Sequence, residues 1–399
     1  MSEQKSLNIL CIAGSLLGRP FMMEAKKLGH KVYVLTSEKC LKEPWPRGEY
    51  IDDVFAVPSL WDEKVVRNAI SYIARDIKFD RIVPMGDWEM ETASFLREHF
   101  RSPGMGETTM RYFRGKLAMR MKTQEDGIPV PAFTALFNWK EIHDYLDAVP
   151  APWIIKPRQE AASMGITKVN SREELWPLID KLGDKMSLTL LEKYTPGDVF
   201  HVDSVVHELE VSHATISQYG TPMLDLNKSG GMFTTRLIDR KSDDYKALDE
   251  LNRKVIKSLG LKRGVTHIEY IKSREDGKFY FLEAGARVGA ARIPDVAWHG
   301  TGVCLWHEWA HIEAAQGPVP LSVKPYDEYA GAIITLANRE NPDLSSYTDE
   351  EIVYRQARKW HAGLIVRSKD PKRVEELLAQ YAERFSRDFV AHVPYQPQA

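Results

Sequence analysis

Glu269 and Glu283 are the pair of residues with the most chemistry to offer. They lie in G-V-T-H-I-E-Y-I-K-S-R-E-D-G-K-F-Y-F-L-E-A-G-A-R, residues 264–287, where two aromatic and β-branched runs flank a D-G turn, the pattern of a β-hairpin. A hairpin symmetric about Asp276 sets Glu269 directly opposite Glu283 on one face, with Cβ atoms about 5 Å apart. Like charges so placed repel unless a cation stands between them. The oxygen-preferring cation that links carboxylates to phosphates is magnesium, with manganese as a substitute. The same residues also fit an exposed face on which both carboxylates are solvated, or a slipped register in which they never meet.

Arg287 follows the second glutamate by one short step, in A-G-A-R-V-G-A-A, where small residues let a ligand approach the backbone. A guanidinium fixed there would clamp a phosphoryl or acyl-phosphate oxygen; the plainer alternative is a surface salt bridge. Lys156 ends the apolar run W-I-I-K-P and precedes the small-residue loop R-Q-E-A-A-S-M-G-I, whose N–H groups suit phosphates. It reads equally as a strand-end lysine in a surface turn. Asp87 is a helix N-cap or a substrate contact. No G-x-x-x-x-G-K-[ST] loop and no G-x-G-x-x-G fingerprint occurs in the chain.

The elements that must position these groups follow from the hydrophobic pattern. Residues 7–37 read strand, glycine loop, helix begun at Pro20 and ended at Gly29, strand; a helix with Val65, Val66, Ala69, Ile70, Ile73 and Ile77 on one face precedes the buried R-I-V-P. This predicts a parallel α/β domain over 1–108, with Asp87 and Glu91 at the edge where open α/β sheets bind ligands. A basic helix, R-Y-F-R-G-K-L-A-M-R-M-K, opens a second, strand-rich domain over 109–315, in which the strand L-T-L-L-E-K-Y breaks at a P-G turn to make a hinge near 192–198. Residues 316–399 read as a small α+β subdomain.

Composition narrows the function classes. The 54 basic and 56 acidic residues are interspersed, so no chain-wide field draws nucleic acid or anionic lipid. With no signal-peptide pattern and no stretch able to span a bilayer, the expected compartment is the cytoplasm, and the expected partners are small molecules, with a homodimer left open. Cys11, Cys40 and Cys304 have neither disulfide-framework nor zinc-ribbon spacing.

The ordered set Lys116, Lys156, small loop, Glu192-Lys193-Tyr194, Glu269, Glu283 and Arg287, covering about 105–315, resembles the ATP-grasp superfamily. The run E-A-G-A-R-V-G-A is similar to the ending seen in its carboxylate–amine ligases, including the L-amino acid ligases. The resemblance implies an ATP-grasp fold of α/β and α+β parts behind a Rossmann-like pre-ATP-grasp domain. It implies that Lys116 and Lys156 hold ATP phosphates, with Lys156 and Arg287 as catalytic groups. A loop from Ala162 to Ile166, with Ser163 and Gly165, would close over them, and Glu192, Lys193 and Tyr194 would receive adenine. Glu269 and Glu283 would ligate Mg2+. Two departures stand out: Gly285 replaces a frequent asparagine beside the metal site, and Val199 replaces a frequent ribose-binding glutamate, for which His201 or Asp203 is the candidate replacement. Asp87, Arg236, Arg292 and His299 are candidates for substrate contact.

The expected reaction is ligation through an acyl phosphate, with ADP and phosphate released. The rivals are an ATP-grasp carboxylase working without a biotin segment in this chain, a non-catalytic ATP-binding protein, and a zinc peptidase. The last rests on H-E-W-A-H at 307–311, which matches H-E-x-x-H but lacks the extended glycine and third histidine.

Overall fold

A computed structural model describes residues 6–160, 164–221, 231–315 and 319–390. Sixteen strands form three sheets among them. The first sheet is parallel, in the order β3-β2-β1-β4, from β1 (Asn8–Ile12), β2 (Lys31–Ser37), β3 (Asp53–Val57) and β4 (Arg81–Pro84). Its central strand is apolar on both faces because both faces are covered. Ile9 and Cys11 join a core with Phe21 and Met22 of the helix Arg19–Lys27. Leu10 and Ile12 join another with Val66 and Ile70 of Glu63–Ile73 and Leu96 of Glu89–Phe100.

The second sheet, β5-β8-β6-β7, consists of β5 (Phe133–Ala135), β6 (Trp153–Pro157), β7 (Thr167–Val169) and β8 (Thr189–Lys193), with helices Trp139–Ala148 and Arg172–Leu182 closing one face. The third is antiparallel, in the order β13-β12-β9-β10-β11-β14-β16-β15. Its members are β9 (Gly197–His207), β10 (Glu210–Tyr219), β11 (Phe233–Leu237), β12 (Arg263–Ser273), β13 (Phe279–Gly285), β14 (Tyr329–Leu336), β15 (Ile352–Arg355) and β16 (His361–Ser368). Beneath it lies the helix Asp243–Leu259, which Gly260 ends in the left-handed conformation.

Two features differ from the pattern in the sequence. The basic helix is two helices, Glu107–Arg114 and Lys116–Glu125, because Gly115 takes an extended conformation between them (φ −96°, ψ 102°). Lys116 therefore stands in a first helical turn rather than mid-helix. The strands after residue 319 also continue the large sheet, through β11–β14 pairing at Thr235–Ala332 and Arg236–Gly331. β14 and β16 are buried along most of their length, and such apolar runs fit a central strand of any covered sheet, so the pattern alone does not reveal the partner.

The helix Pro371–Asp388 covers this end of the sheet, burying Phe385 fully against Tyr347 and Phe389. Phe385→Ala should lower unfolding free energy by about 3–5 kcal/mol. Because the terminal strands belong to the large sheet, urea titration should show the loss in the main transition, not as an early separate step.

Candidate active site

The second and third sheets face each other across a cleft of about 210 Å³ that joins residues from both, including Lys116, Lys156, Glu192, Val199, Glu269 and Glu283. The hairpin brings the two glutamates together: Glu269 pairs with Glu283 across β12 and β13. The route differs from a symmetric turn. Near the turn the partners are Ile271–Tyr280 and Tyr270–Phe281, one residue off that register, and a bulge at Leu282 restores it at the glutamates. The same bulge turns the Leu282 carbonyl toward Arg120, whose Nη1 donates to it.

Cations surround the carboxylate pair. Lys116 Nζ lies 2.9 Å from Glu283 Oε2 and donates to the Glu160 carbonyl at 2.6 Å. Burial by itself would push the Glu283 carboxyl up, but Lys116, Lys156 and Arg287 hold it down at about 2. Tyr219 donates its hydroxyl to Glu269 Oε1 at 2.8 Å. His267, two residues before Glu269 on the same face, has Nδ1 2.9 Å from Asp203 and Nε2 3.6 Å from Glu269. Burial pulls that imidazole down, and Asp203 more than reverses it, to about 9.

Deeper in the cleft, Lys156 Nζ is 2.5 Å from Glu192 Oε1, while Arg120 reaches Glu192 Oε2 from Nε at 3.2 Å and Nη2 at 3.1 Å. All three side chains are buried. Burial lowers Lys156 to about 8, with the Arg120 charge adding to the fall and Glu192 opposing it. The Glu192 carboxylate is thus engaged by two cations, leaving its backbone for any base. Lys193 pairs outward with Glu275 at 2.6 Å, and Lys168 stacks on the Tyr194 ring at 3.8 Å; both Lys193 and Tyr194 line the cleft. Gly165 is in the left-handed conformation (φ +70°), and a Cβ there would meet Pro157 at 2.8 Å. Ser163 lies outside the described residues.

The N-terminal domain contributes directly. Asp87 accepts a hydrogen bond from Arg287 Nε at 2.7 Å and makes no cap bond to the helix Glu89–Phe100, so the N-cap alternative is set aside. Its Oδ1 stands 3.3 Å from where a Cβ on Gly285 would be, filling the space that a side chain at 285 would need.

The remaining residues named from sequence fall elsewhere. His201 is fully buried, with Nδ1 2.6 Å from Asp203 and Nε2 2.7 Å from Thr235, so neither nitrogen is left for a ribose hydroxyl. Arg236 sits on the face of β11 opposite to Phe233 and Thr235 and pairs with Glu375 at 2.9 Å. His299 does not border the cleft, and Arg292 lies outside it too, lining a separate cavity of about 730 Å³. In the H-E-x-x-H helix, Leu305–Ala314, Glu308 accepts from the Ser322 N–H and hydroxyl, and His311 is 3.0 Å from Glu24. Among the described residues the one cluster with metal-ligand spacing is His201, Asp203 and His267, whose donor atoms are engaged with one another.

Three participants were not singled out in the sequence, Arg120, Tyr219 and His267; Asp203 was named there only as a ribose candidate, not as the partner of His267. Arg120 had a signal, since it lies one helical turn beyond Lys116 and so shares its face.

Residues 149–295 match the family model described as the ATP-grasp domain. The chain carries an ATP-grasp domain. Its cleft and glutamate pair fall within or beside that match. Over 289 residues, 71% of this chain and 69% of the relative, it is 26% identical to an L-arginine-specific L-amino acid ligase of Bacillus subtilis. A D-alanine–D-alanine ligase of Thermoanaerobacter sp. (strain X514) is 29% identical over 187 residues, 43% of this chain and half of that protein's length. The crystal structure of an L-amino acid ligase from Bacillus licheniformis superimposes with a TM-score of 0.76 at 18% identity, covering 99% of this chain and all of the other. No helix among the described residues is long and apolar enough to cross a membrane.

Arg120→Met should cost about 3–5 kcal/mol, because it frees Glu192 of one of two buried countercharges and orphans the Leu282 carbonyl. Denaturant unfolding followed by circular dichroism measures this. A loss under ~1 kcal/mol would show that the buried ion cluster does not depend on Arg120.

Proposed function

We propose that this chain is an ATP-dependent carboxylate–amine ligase that makes an amide or peptide bond through an acyl phosphate. The observation that carries the reading is the facing Glu269–Glu283 pair lining the cleft, with the Glu283 carboxylate held ionised by Lys116, Lys156 and Arg287. Kinship with an L-arginine-specific L-amino acid ligase supports amino acids as substrates. The proposed setting is the cytoplasm, acting on small molecules, as monomer or homodimer.

The donor set fits magnesium: two carboxylates side by side, oxygen atoms only, one of them held ionised far below neutral pH. Glu269 and Glu283 would hold the ion, which when bound would neutralise charge on the ATP phosphates. Lys116 and Lys156 bind those phosphates as point charges, and the loop around Gly165 covers them and excludes water. Lys193 and Tyr194 line the end of the cleft where the base would lie.

In the reaction, a substrate carboxylate oxygen attacks the γ-phosphorus as the bond to the β,γ-bridging oxygen breaks, giving acyl phosphate and ADP. The amine nitrogen of the second substrate then attacks the acyl carbon, and phosphate leaves as the nitrogen gives up its proton. Arg287, held in place by Asp87, offsets charge on the transferred group. Positioning and charge neutralisation account for the rate without a covalent protein nucleophile.

Screening amino acid pairs for magnesium-dependent release of ADP and phosphate should identify active pairs, and Glu283→Ala should reduce the rate on the order of 10²-fold or more. Full activity in that variant would overturn the mechanism. The pH profile gives a second test. Lys156 titrates at about 8, so its amine is charged below that pH and neutral above it. kcat/KM for ATP should therefore fall above about pH 8. A profile flat to pH 10 would remove Lys156 from phosphate binding.

A further inference from the structure

The separate cavity of about 730 Å³, enough for an amino acid or a dipeptide, is lined in part by the residues that follow Arg287 in the chain. It lies where the carboxyl edge of β1 meets the large sheet. Its walls come from the loop Leu16–Pro20, the turn Gly289–Arg292 that directly follows Arg287, the start of the helix Ile293–Thr301, and the segment 356–361. The reacting end of a substrate held here would reach Arg287 along a wall of Gly289, Ala290 and Ala291, which present little side chain.

The charge of this cavity is one-sided. Among the described residues, Arg19, Arg292 and Arg358 line it, against a single carboxylate, Asp295. Arg292 is fixed: its Nη2 donates to the Tyr354 hydroxyl at 2.6 Å and to Gln356 Oε1 at 2.8 Å, and its Nη1 lies 3.3 Å from Asp295. The chain reaches it through two successive residues in the left-handed region, Ala291 (φ 50°) and Arg292 (φ 65°), a conformation that non-glycine residues disfavour. Arg358 is exposed and has no ion-pair partner among the described residues; Arg19 has none either and lies over the Tyr50 ring. Phe233, Ile334, Trp298 and Trp306 give the cavity an apolar side.

An amino acid retaining a single carboxylate would leave this surplus of guanidinium unmet. We propose that the cavity selects an acidic amino acid, whose reacting carboxylate faces Arg287 while its second negative group is taken by Arg292 and Arg358. This inference rests on the ligase reading above and adds the substrate class. The same three arginines repel a cationic side chain, so arginine, the amino acid in the name of the Bacillus subtilis relative, is disfavoured here.

Calorimetric titration of the full chain in the presence of Mg-ADP tests this, with L-glutamate and L-aspartate against L-leucine, L-arginine and L-lysine. The acidic pair should bind at least about tenfold more tightly than the cationic pair, and Arg358→Glu should remove about tenfold of that preference. Arg358 is exposed, so its replacement leaves the core intact; Arg292→Gln is the second variant and should act in the same direction. Equal or tighter binding of the cationic amino acids, no binding of either acidic one, or a preference unchanged in both variants would overturn the proposal. Phosphate release with neutral or cationic pairs alone would overturn it too while leaving the ligase reading standing. Absence of nucleotide-dependent turnover with every pair would instead strike the ligase reading, and the titration would still decide the charge preference.

Discussion

Two carboxylates on neighbouring strands, directly opposite and on one face, repel each other, and much of the rest of the fold can be understood as the means of holding them there. Glu269 and Glu283 are set in register by hydrogen bonds between β12 and β13, with the bulge at Leu282 adjusting the alignment. The conflict is relieved by positive charge and donated protons from three directions: Lys116 from a helix N-terminus, Tyr219 from β10, and the His267 imidazole, kept charged by Asp203.

The supporting parts form layers. Asp87, brought by the parallel N-terminal sheet, fixes Arg287 from the outside. Arg120 ties the helix after Gly115 to the Leu282 carbonyl in the large sheet and to Glu192 in the small one. It is fully buried, so it spans the two sheets through protein rather than water. Glu192 in turn steadies Lys156, whose pKa burial lowers to about 8 against the opposing pull of that carboxylate. Lys156 and Glu192 in the small sheet are therefore joined through Arg120 to the strand that carries Glu283.

The parts legible in the sequence are those with local rules. The D-G turn, the aromatic and β-branched runs of β12 and β13 and the glycine stops at Gly29 and Gly260 each follow from short-range geometry. The ATP-grasp fold followed from the order of chemically matched residues along the chain, and the ligase class from the likeness of the run E-A-G-A-R-V-G-A to carboxylate–amine ligases and from the missing biotin segment. Contacts between distant segments were not legible. Nothing near Asp87 shows that it meets Arg287, and nothing in the terminal strands shows that they extend the large sheet rather than form their own. Arg236 could have been read correctly: strand alternation separates it from Thr235, whose side chain turns toward the buried histidines. Gly115 was the overlooked signal for the helix break that places Lys116.

The central claim is that the facing glutamates form a divalent-cation site for a nucleotide. Manganese titration followed by electron paramagnetic resonance, with and without ADP, tests it on the protein itself, independent of any substrate. Wild-type protein should bind manganese more tightly when ADP is present, and the double variant Glu269→Gln, Glu283→Gln should lose that nucleotide-linked binding while remaining folded. Manganese bound equally well by a folded double variant would contradict the account.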